Sequence, residues 1–212
     1  ITTILAKGVF VGFIIFFLSI AVRNAAISYH TMQTSQFLAD KMAGYVTVPV
    51  NTSNASTQNL AENYKAFYSA TVNRYNGILV DTSNYEYDLI SGRTLAEEFG
   101  QTSITVNRNY LDFNPIYDVS GRQITSTQLS DTRFNVLLPT SRKQEKESWS
   151  EFVQTAYGME ANFIPYDGTA SKIYSYNANT GTGNYGAIDE PVILVIEEEQ
   201  IEGIFVLSYC SK

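Results

Sequence analysis

The stretch from Gly8 to Val22, GVFVGFIIFFLSIAV, contains no charged residue, and Ser19 is its only polar side chain. With the mostly apolar residues before Lys7, the hydrophobic run that starts at Ile1 reaches about twenty residues. An α-helix of this length crosses a hydrocarbon core of roughly 30 Å. We therefore predict that residues 1–22 form a transmembrane helix.

Two other interpretations of this stretch compete with the membrane helix. A cleaved signal peptide begins with a positive charge, which Lys7 supplies, and Ala21 with the segment NAA at 24–26 resembles a cleavage region, but no A-x-A motif is present. A buried core helix rarely carries a run such as FIIFFL without a polar face. Lys7 and Arg23 flank the stretch and nearly balance, so positive charge does not decide the orientation of the helix.

The helical pattern continues beyond the apolar run, because residues 23–43 contain neither proline nor glycine. Small and apolar residues, among them Ala26 and Tyr29, recur there at helical intervals. We predict that the membrane helix extends outward as a stalk helix over residues 23–44, with Gly44 as its C-cap.

The rest of the sequence is acidic. The whole chain has 14 basic and 21 acidic residues and a net charge of −7. Without Lys7 and Arg23, the part beyond the apolar stretch keeps 12 basic and 21 acidic residues, a net charge of −9. This surplus argues against binding of nucleic acid and against an anionic membrane leaflet, because both attract Lys and Arg. The acidic surface either serves solubility or attracts a cationic partner such as a basic peptide.

Cys210 is the only cysteine, so the chain cannot form an internal disulfide bond. An extracellular domain without disulfides is unusual in an animal protein and common on Gram-positive bacteria. The low cysteine content, with many Tyr, Asn and Thr residues, suits a domain at residues 45–212 in that second setting. The N-x-[ST] patterns at Asn51 and Asn54 indicate an exposed loop. The chain begins with Ile rather than Met, so we expect that further residues precede it.

The outer domain first alternates helices with strands and then gives strands in succession. Strands are predicted at residues 45–50, 78–81, 103–106, 134–138, 161–164, 172–176, 192–197 and 203–209. Helices are predicted at residues 56–75 and 142–157, with a helical turn at 95–99. The order favours an α+β fold, as one domain or two lobes, in which a mixed or antiparallel sheet packs against two or more helices.

Both predicted helices of the domain have residues that can cap their two ends, and both have an apolar stripe. Ser56 or Thr57 caps the first helix, which ends at Asn76-Gly77, and Ser141 caps the second, which ends at Gly158. The stripes predicted to be buried are Leu60, Tyr64, Phe67, Tyr68 and Val72 in the first helix, and Trp149, Phe152, Val153 and Ala156 in the second.

Motifs for catalysis are weak or absent in this sequence. Gly181 to Gly186 matches G-x-G-x-x-G, but Pro191 follows closely and no helix can open there, so we interpret it as a hairpin loop. No Walker loop and no G-x-S-x-G elbow occur. His30, the only histidine, lies in the predicted stalk, where a pairing with Cys210 or a Ser-His-Asp triad has little support.

Two acidic segments are candidates for binding. Asp81, Asn84, Glu86 and Asp88 offer oxygen ligands for calcium but lack the glycine turn and the ligand order of a calcium loop, so a solvated loop is favoured. The run Glu197–Glu199 with Glu202 is either a solvated turn or an acidic contact patch. We therefore predict no catalytic, cofactor-binding or metal-binding residue.

Several short segments occur together in one order. They are GILVDTSNY (77–85), ITVNRNYL (104–111), NPIYDVSG (114–121), NVLLPTSRKQEKE (135–147), KIYSYN (172–177) and DEPVI (189–193). Together they resemble the extracellular part of the bacteriocin-associated integral membrane proteins of Gram-positive bacteria, which look like permease subunits of MacB-like ABC transporters. The resemblance spans most of residues 45–196, and its motifs transfer no functional residue.

The resemblance implies a non-enzymatic permease-type subunit whose outer domain handles or senses a peptide, such as a bacteriocin or another antimicrobial peptide. It implies a cytoplasmic ABC ATPase as partner, a homodimer or other membrane subunits, and further membrane helices beyond Lys212. In such a mechanism the ATPase moves the helices and the stalk transmits the movement to the outer domain.

Two other functions remain open from the sequence. A membrane-anchored surface binding module would need only one helix and no ATPase partner. A surface hydrolase would need a pocket around Asp81–Asp88 or around His30.

Overall fold

A computed structural model of the chain describes residues 2–48, 65–66, 68–85, 100, 102–174, 187–197, 200 and 207–211. The chain divides into two compact units, Ile1–Ala43 and Gly44–Lys212. The first unit is helical, and the second holds a mixed sheet with helices, so the predicted α+β class is confirmed.

The first unit is one uninterrupted helix, α1, over Thr2–Met42. Its last turn is followed by Gly44 with a positive φ of 105°, a conformation that favours glycine and ends a helix. The predicted continuation of the apolar helix into a second helical stretch is thus confirmed, and so is its end at Gly44. Among the residues that the structure describes, no helix is both long and apolar enough to qualify as a membrane span.

The strands of the second unit are short, as is usual for a sheet built from many segments. In chain order they are β1 (Tyr45–Val48), β2 (Ile78–Asp81), β3 (Ser103–Asn107), β4 (Ile116–Tyr117), β5 (Gln123–Ile124), β6 (Phe134–Pro139), β7 (Ala161–Tyr166), β8 (Ile173–Tyr174), β9 (Ala187–Ile188), β10 (Val192–Ile196) and β11 (Leu207–Ser211). Among the described residues, the α-helices of this unit whose two ends are both placed are α2 (Asn109–Phe113) and α3 (Lys146–Tyr157).

Seven strands form the main sheet in the order β1-β11-β2-β3-β10-β6-β7. The pairs β3–β10 and β6–β7 are parallel, and the other neighbours are antiparallel, so the sheet is mixed. β1 and β7 are the edge strands of this sheet. Helix α3 connects the parallel neighbours β6 and β7, which is the connection that parallel strands require.

Both faces of the sheet are buried at its centre. All five side chains of β10 are buried, and so are all six of β6. On one face Leu194, Val136 and Leu79 belong to a core that also includes Tyr68 and Val153. On the other face Ile104, Val106, Ile193 and Val195 are also buried. A strand that is buried on both faces needs cover on both, which is why this sheet carries packed elements on each side.

Near strand ends, the side chains of two buried asparagines form hydrogen bonds with backbone groups. The Asn107 side chain accepts a hydrogen bond from the backbone N–H of Leu79 at 3.0 Å and donates one to the carbonyl of Gly77 at 2.8 Å. The Asn135 carbonyl oxygen accepts hydrogen bonds from Ser130 N–H and from the Asn162 amide. Because buried polar groups are costly when unpaired, these bonds fix the register at the end of the sheet where β10 ends, since Asn107 and Asn135 are the register partners of Ile196 and Val195.

The helix predicted at residues 56–75 is described only in its second half. There Tyr68 and Val72 are buried, as the predicted stripe requires, while Leu60, Tyr64 and Phe67 lie outside the described residues. Ser69–Asn73 forms a π-helical turn, and the Gly77 N–H bonds to the Val72 carbonyl at 3.0 Å. Asn76 has a φ of 53°, so the predicted end at Asn76-Gly77 is confirmed.

The predicted start of the second helix is wrong. Residues Thr140–Glu145 form a 3₁₀-helical segment that is interrupted at Arg142, and α3 begins only at Lys146. The hydroxyl of Ser141 donates to Glu190 Oε2 at 2.5 Å and does not cap the helix. The Ser141 side chain is turned toward a carboxylate 49 positions away, which the local sequence pattern does not contain. The predicted end at Gly158 is confirmed by its positive φ of 66°.

The predicted apolar stripe of α3 is only partly buried. Val153 is fully buried and Trp149 is half-buried, whereas Phe152 is 45% exposed and Ala156 is exposed. The amphipathic pattern identified the side of the helix that faces the sheet, but it did not show that the sheet covers only part of that side.

Several short elements escaped the sequence analysis. They are α2, the hairpin β4–β5 and the pairing of β8 with β9. The predicted strand at 172–176 is β8, which pairs outside the main sheet, and the strand predicted at 203–209 is β11 at Leu207–Ser211. The helical turn predicted at 95–99 lies outside the described residues. Two-residue strands carry too little periodicity to be recognised from sequence.

The burial of Val153 yields a test of the core. We expect Val153→Ala to lower the free energy of unfolding by about 1–3 kcal/mol, because it removes two buried methyl groups and leaves a cavity. The matched control is Val119→Ala, at a side chain that is 66% exposed, which should change it by no more than about 0.5 kcal/mol. Urea unfolding of the full chain in nonionic detergent measures both. Equal effects of the two substitutions would contradict the packing described for α3.

Candidate functional site

A cavity of about 630 Å³ opens between α3 and the sheet, and we name it the aromatic groove. Ser103 and Thr105 of β3 and Leu194 of β10 form its floor. Thr105 and Leu194 are register partners in the parallel pair, so their side chains point to the same face of the sheet. The groove is therefore a part of this face that the helix does not cover.

Aromatic side chains of α3 form the wall of the groove. The ring of Trp149 contacts that of Phe152 edge to face, with centroids 5.5 Å apart, and Phe152 contacts Tyr157 at 6.3 Å. Tyr157 in turn stacks on the core residue Phe134 at 4.3 Å. Such ring pairs contribute beyond simple burial, so the wall is a connected and ordered surface.

One end of the groove is closed by a polar cluster around Arg142. Its Nε donates to Glu145 Oε1 at 2.8 Å and its Nη2 donates to Glu145 Oε2 at 2.5 Å, which makes the pair bidentate. The same guanidinium donates to the carbonyl and the hydroxyl of Thr102, where β3 is about to begin. Trp149 Nε1 donates to Glu145 Oε2 at 3.3 Å. The cluster ties the start of α3 to β3 and orients the indole ring.

The cluster shifts the ionisation of its members. The hydrogen bond from Arg142 is the main cause that lowers the pKa of Glu145 below its ordinary 4.5. Tyr85 lies in the field of Arg142, but its burial has the larger effect and raises the pKa of its phenol to about 12. At neutral pH the Arg142–Glu145 pair is therefore charged and the Tyr85 hydroxyl keeps its proton.

A second cavity, of about 390 Å³, lies at the other end of α3, and we name it the acidic cavity. Asp131, Glu197 and Tyr157 are among its lining residues. Arg108 bridges the two carboxylates, with Nε 2.7 Å from Glu197 Oε1 and Nη2 3.1 Å from Asp131 Oδ1. Arg133, also in the lining, pairs with Glu160 at 3.4 Å. Tyr157 lines both the acidic cavity and the aromatic groove.

Two of the four residues considered for calcium are described, and both form hydrogen bonds with backbone groups. Asp81 Oδ1 accepts the N–H of Ser83 at 2.9 Å, and burial raises the pKa of its carboxyl. The Asn84 amide donates to the Ser103 carbonyl at 3.0 Å, so its nitrogen faces β3. Glu86 and Asp88 lie outside the described residues. Within the described part of the chain, no group of three His, Cys, Asp or Glu residues is placed to hold a metal ion.

Most of the other sequence candidates have residues or side chains outside those that the structure describes. His30 lies on α1 and Cys210 on β11, but their side chains lie outside those that are described. The glycine motif at 181–186 and the acids Glu198, Glu199 and Glu202 also lie outside the described residues. Glu197 is placed, and it forms the ion pair with Arg108.

The sequence analysis missed the residues that define the two cavities. It assigned Trp149 and Phe152 to a buried stripe, and it did not single out Arg108, Asp131 or Arg142. Arg108 and Glu197 are separated by 89 positions, so no local pattern joins them. One feature of the sequence could have indicated the groove. Aromatic residues are concentrated on the predicted helix at 142–157, and such a concentration is typical of binding surfaces as well as of cores.

No family model, no curated protein and no solved structure matches this chain.

The Arg142–Glu145 pair predicts how stability depends on pH. Because the pKa of Glu145 is lower in the folded state, the pair stabilises the protein above the unfolded pKa, and this stabilisation is lost as the pH falls through the folded pKa. We expect Glu145→Gln to destabilise the chain at pH 7, with a difference from wild type that narrows as the pH falls below 4.5. Thermal unfolding between pH 7 and pH 3 measures this difference.

The control for this pH series is Glu147→Gln, at an exposed carboxylate of α3, which removes the same charge without breaking the pair. A constant difference between wild type and Glu145→Gln across the pH range would contradict the role assigned to the ion pair.

Proposed function

We propose that the chain is a permease-type membrane subunit of a MacB-like ABC transporter, with residues 1–22 in the membrane and residues 45–212 outside the cell. In this proposal the outer domain handles or senses a peptide, and a separate cytoplasmic ATPase drives it through the helix. The observation that carries the proposal is the single helix α1, because it joins the apolar stretch to the folded domain without a break.

The exposure of the apolar half of α1 supports the membrane part of the proposal. Every residue from 10 to 22 is exposed, including five large side chains in direct succession between Ile14 and Leu18. Exposed apolar surface costs about 25 cal/mol per Å² in water, so a patch of this size needs a cover. The Ser19 hydroxyl donates to the Ile15 carbonyl at 2.8 Å, which satisfies the polar group inside the helix, as a hydrocarbon environment demands.

The second half of α1 suits the transmission of movement. It continues from Arg23 to Met42 without a helix break, and only Ala43 and Gly44 separate it from β1. A continuous helix is stiff and passes a displacement on, whereas a flexible linker of the same length absorbs it. This stiffness supports the transmitter role that the family resemblance implies for residues 23–44.

Five of the six segments that carry the resemblance lie within the described residues, and the sixth, 172–177, is described only up to residue 174. They include β2, β3, β4, β6 and the start of β10. In the proposal, ATP hydrolysis belongs to the partner subunit, and the chain itself acts by binding and movement. The aromatic groove supplies a surface for a peptide, because its walls are aromatic and its floor offers hydroxyl groups.

The second candidate is a surface binding module that is anchored by one helix and has no ATPase partner. The aromatic groove favours it as much as it favours the permease, because the groove by itself needs no moving part. The two candidates share the membrane helix and differ in their partners.

A matched pair of substitutions tests the membrane helix. Ile15 and Met32 are both 59% exposed on α1, but only Ile15 lies in the proposed span. We expect Ile15→Arg to lower the fraction of the full chain that resists alkaline extraction of membranes, because arginine at the centre of a membrane helix costs about 2.5–3.5 kcal/mol. Met32→Arg should leave that fraction unchanged. Equal behaviour of both variants would contradict the membrane helix.

Partner capture separates the two candidates. After mild solubilisation of native membranes, we expect the tagged full-length protein to copurify with a Walker-motif ATPase in stoichiometric amount. The control is a purification from the same membranes with an unrelated single-helix protein that carries the same tag. Repeated absence of the ATPase, with the chain itself recovered intact, would rule out the permease and favour the anchored module.

A further inference from the structure

The aromatic groove and the acidic cavity meet at one side chain. Tyr157 lines both, with Trp149 and Phe152 on the groove side and Asp131 and Glu197 on the cavity side. The two cavities therefore adjoin at Tyr157, and we call the two together the path along α3, with the aromatic wall on one side of Tyr157 and the carboxylates near the C-terminal end of the helix. A ligand that follows this path meets the aromatic wall and the carboxylates in sequence.

The dimensions of the path suit a short extended peptide. Helix α3 has 12 residues, which corresponds to a length of about 18 Å. An extended chain spans about 3.3–3.6 Å per residue, so five or six residues cover this length. The hydroxyl groups of Ser103 and Thr105 on the floor and the Ser148 hydroxyl on the wall offer hydrogen bonds to a peptide backbone.

The aromatic wall selects apolar side chains. Phe152 is 45% exposed and Trp149 half-buried, so both retain apolar surface that a ligand can cover. Tryptophan and tyrosine are enriched among the residues that dominate binding energies, because they bury a large area with few rotatable bonds. The Arg142–Glu145 pair at the other end is internally compensated and adds no net charge.

The charges around the acidic cavity favour a positively charged ligand group. The Asp131 side chain is 84% exposed and shares only one of its oxygens with Arg108, so it retains acceptor sites toward solvent. The nearby arginines are already engaged, Arg108 by Asp131 and Glu197, and Arg133 by Glu160. With the net charge of −9 beyond the apolar stretch, this environment attracts a cation and repels a carboxylate.

We propose that the aromatic groove and the acidic cavity together bind one extended segment of a cationic amphipathic peptide, with apolar side chains along α3 and a Lys or Arg at the carboxylates. The proposal deepens the proposed function, on which it rests for the idea of a peptide ligand, and it adds the site, the length and the charge of the bound segment. The ammonium or guanidinium group pairs with Asp131 and stacks near the Tyr157 ring, a position that favours cations.

The chain carries its own reporter for this site, because Trp149 is the only tryptophan. The probe is the peptide acetyl-Lys-Leu-Val-Leu-Lys-amide, with a basic residue at each end so that either direction of binding satisfies the cavity. Its comparison peptides are acetyl-Glu-Leu-Val-Leu-Glu-amide and acetyl-Lys-Ser-Thr-Ser-Lys-amide. Titration into the full chain in nonionic detergent should shift the Trp149 emission with the first peptide, and bind the other two at least about tenfold more weakly.

Two substitutions locate the binding on the protein. Phe152→Ala removes an anchor of the aromatic wall, and Asp131→Asn removes a charge at a largely exposed position, so neither should affect folding. Each should weaken binding of the cationic peptide about five- to tenfold. The matched controls are Val119→Ala and Asp112→Asn, exposed residues that line neither cavity, and both should bind the peptide as wild type does.

Several results would overturn the proposal. The first is that the acidic peptide binds as tightly as the cationic peptide or more tightly. The second is that the control variants lose as much binding as Phe152→Ala and Asp131→Asn. The third is that the protein forms a concentration-dependent dimer that shields Trp149 without peptide. Failure of the titration in a chain that still resists alkaline extraction and copurifies with an ATPase would refute this inference alone. Peptide binding by a chain that washes off membranes would instead refute the proposed function and leave the site intact.

Discussion

The burial of strand β10 on both faces is the constraint on which the rest of the domain depends. All five of its side chains are buried, and it pairs in parallel with β3 on one side and antiparallel with β6 on the other. Successive side chains of a strand point to opposite faces of the sheet. Because all five of these side chains are apolar, each face of the sheet must be covered by another element. The helices on one face and the buried elements on the other follow from this requirement.

The cover on the helical face is incomplete, and the candidate site results from that incompleteness. Helix α3 places one fully buried residue, Val153, in the core, and it is held further by the stacking of Tyr157 on Phe134 and by the polar cluster of Arg142. These contacts fix both ends of α3. Between them Trp149 and Phe152 lie beside the floor of β3 and β10 without being fully buried, which leaves the aromatic groove. A helix that stabilises the fold therefore also borders an open groove.

Features of the fold that depend on neighbouring residues could be predicted from the sequence. Features that depend on contacts between distant residues could not. The strand at Ile78–Asp81, the helix end at Asn76 and the end at Gly158 follow from residues a few positions apart. The role of Ser141 does not, because its partner Glu190 lies 49 positions away. The exposure of Phe152 could not be predicted either. An amphipathic pattern shows which side of a helix faces the sheet, but it does not show how much of that side the sheet covers.

The candidate site was less predictable than the fold for the same physical reason. Arg142 reaches the Thr102 carbonyl 40 positions away, and Arg108 reaches Glu197 89 positions away, so these contacts exist only after the chain has folded. The apolar stretch of α1 is the opposite case. Its composition alone marked it as unusual, and the structure adds that it continues as one helix to Met42.

The central claim is that the groove along α3 is open to a ligand in the full chain. Quenching of Trp149 fluorescence by acrylamide tests it most directly, because the quencher is uncharged and the chain has only one tryptophan. An open groove gives a red-shifted emission and a quenching constant well above that of a buried indole, together with protection when the cationic peptide is added. A blue-shifted emission that acrylamide barely quenches in the free protein would show that the groove is already filled, and would contradict the claim.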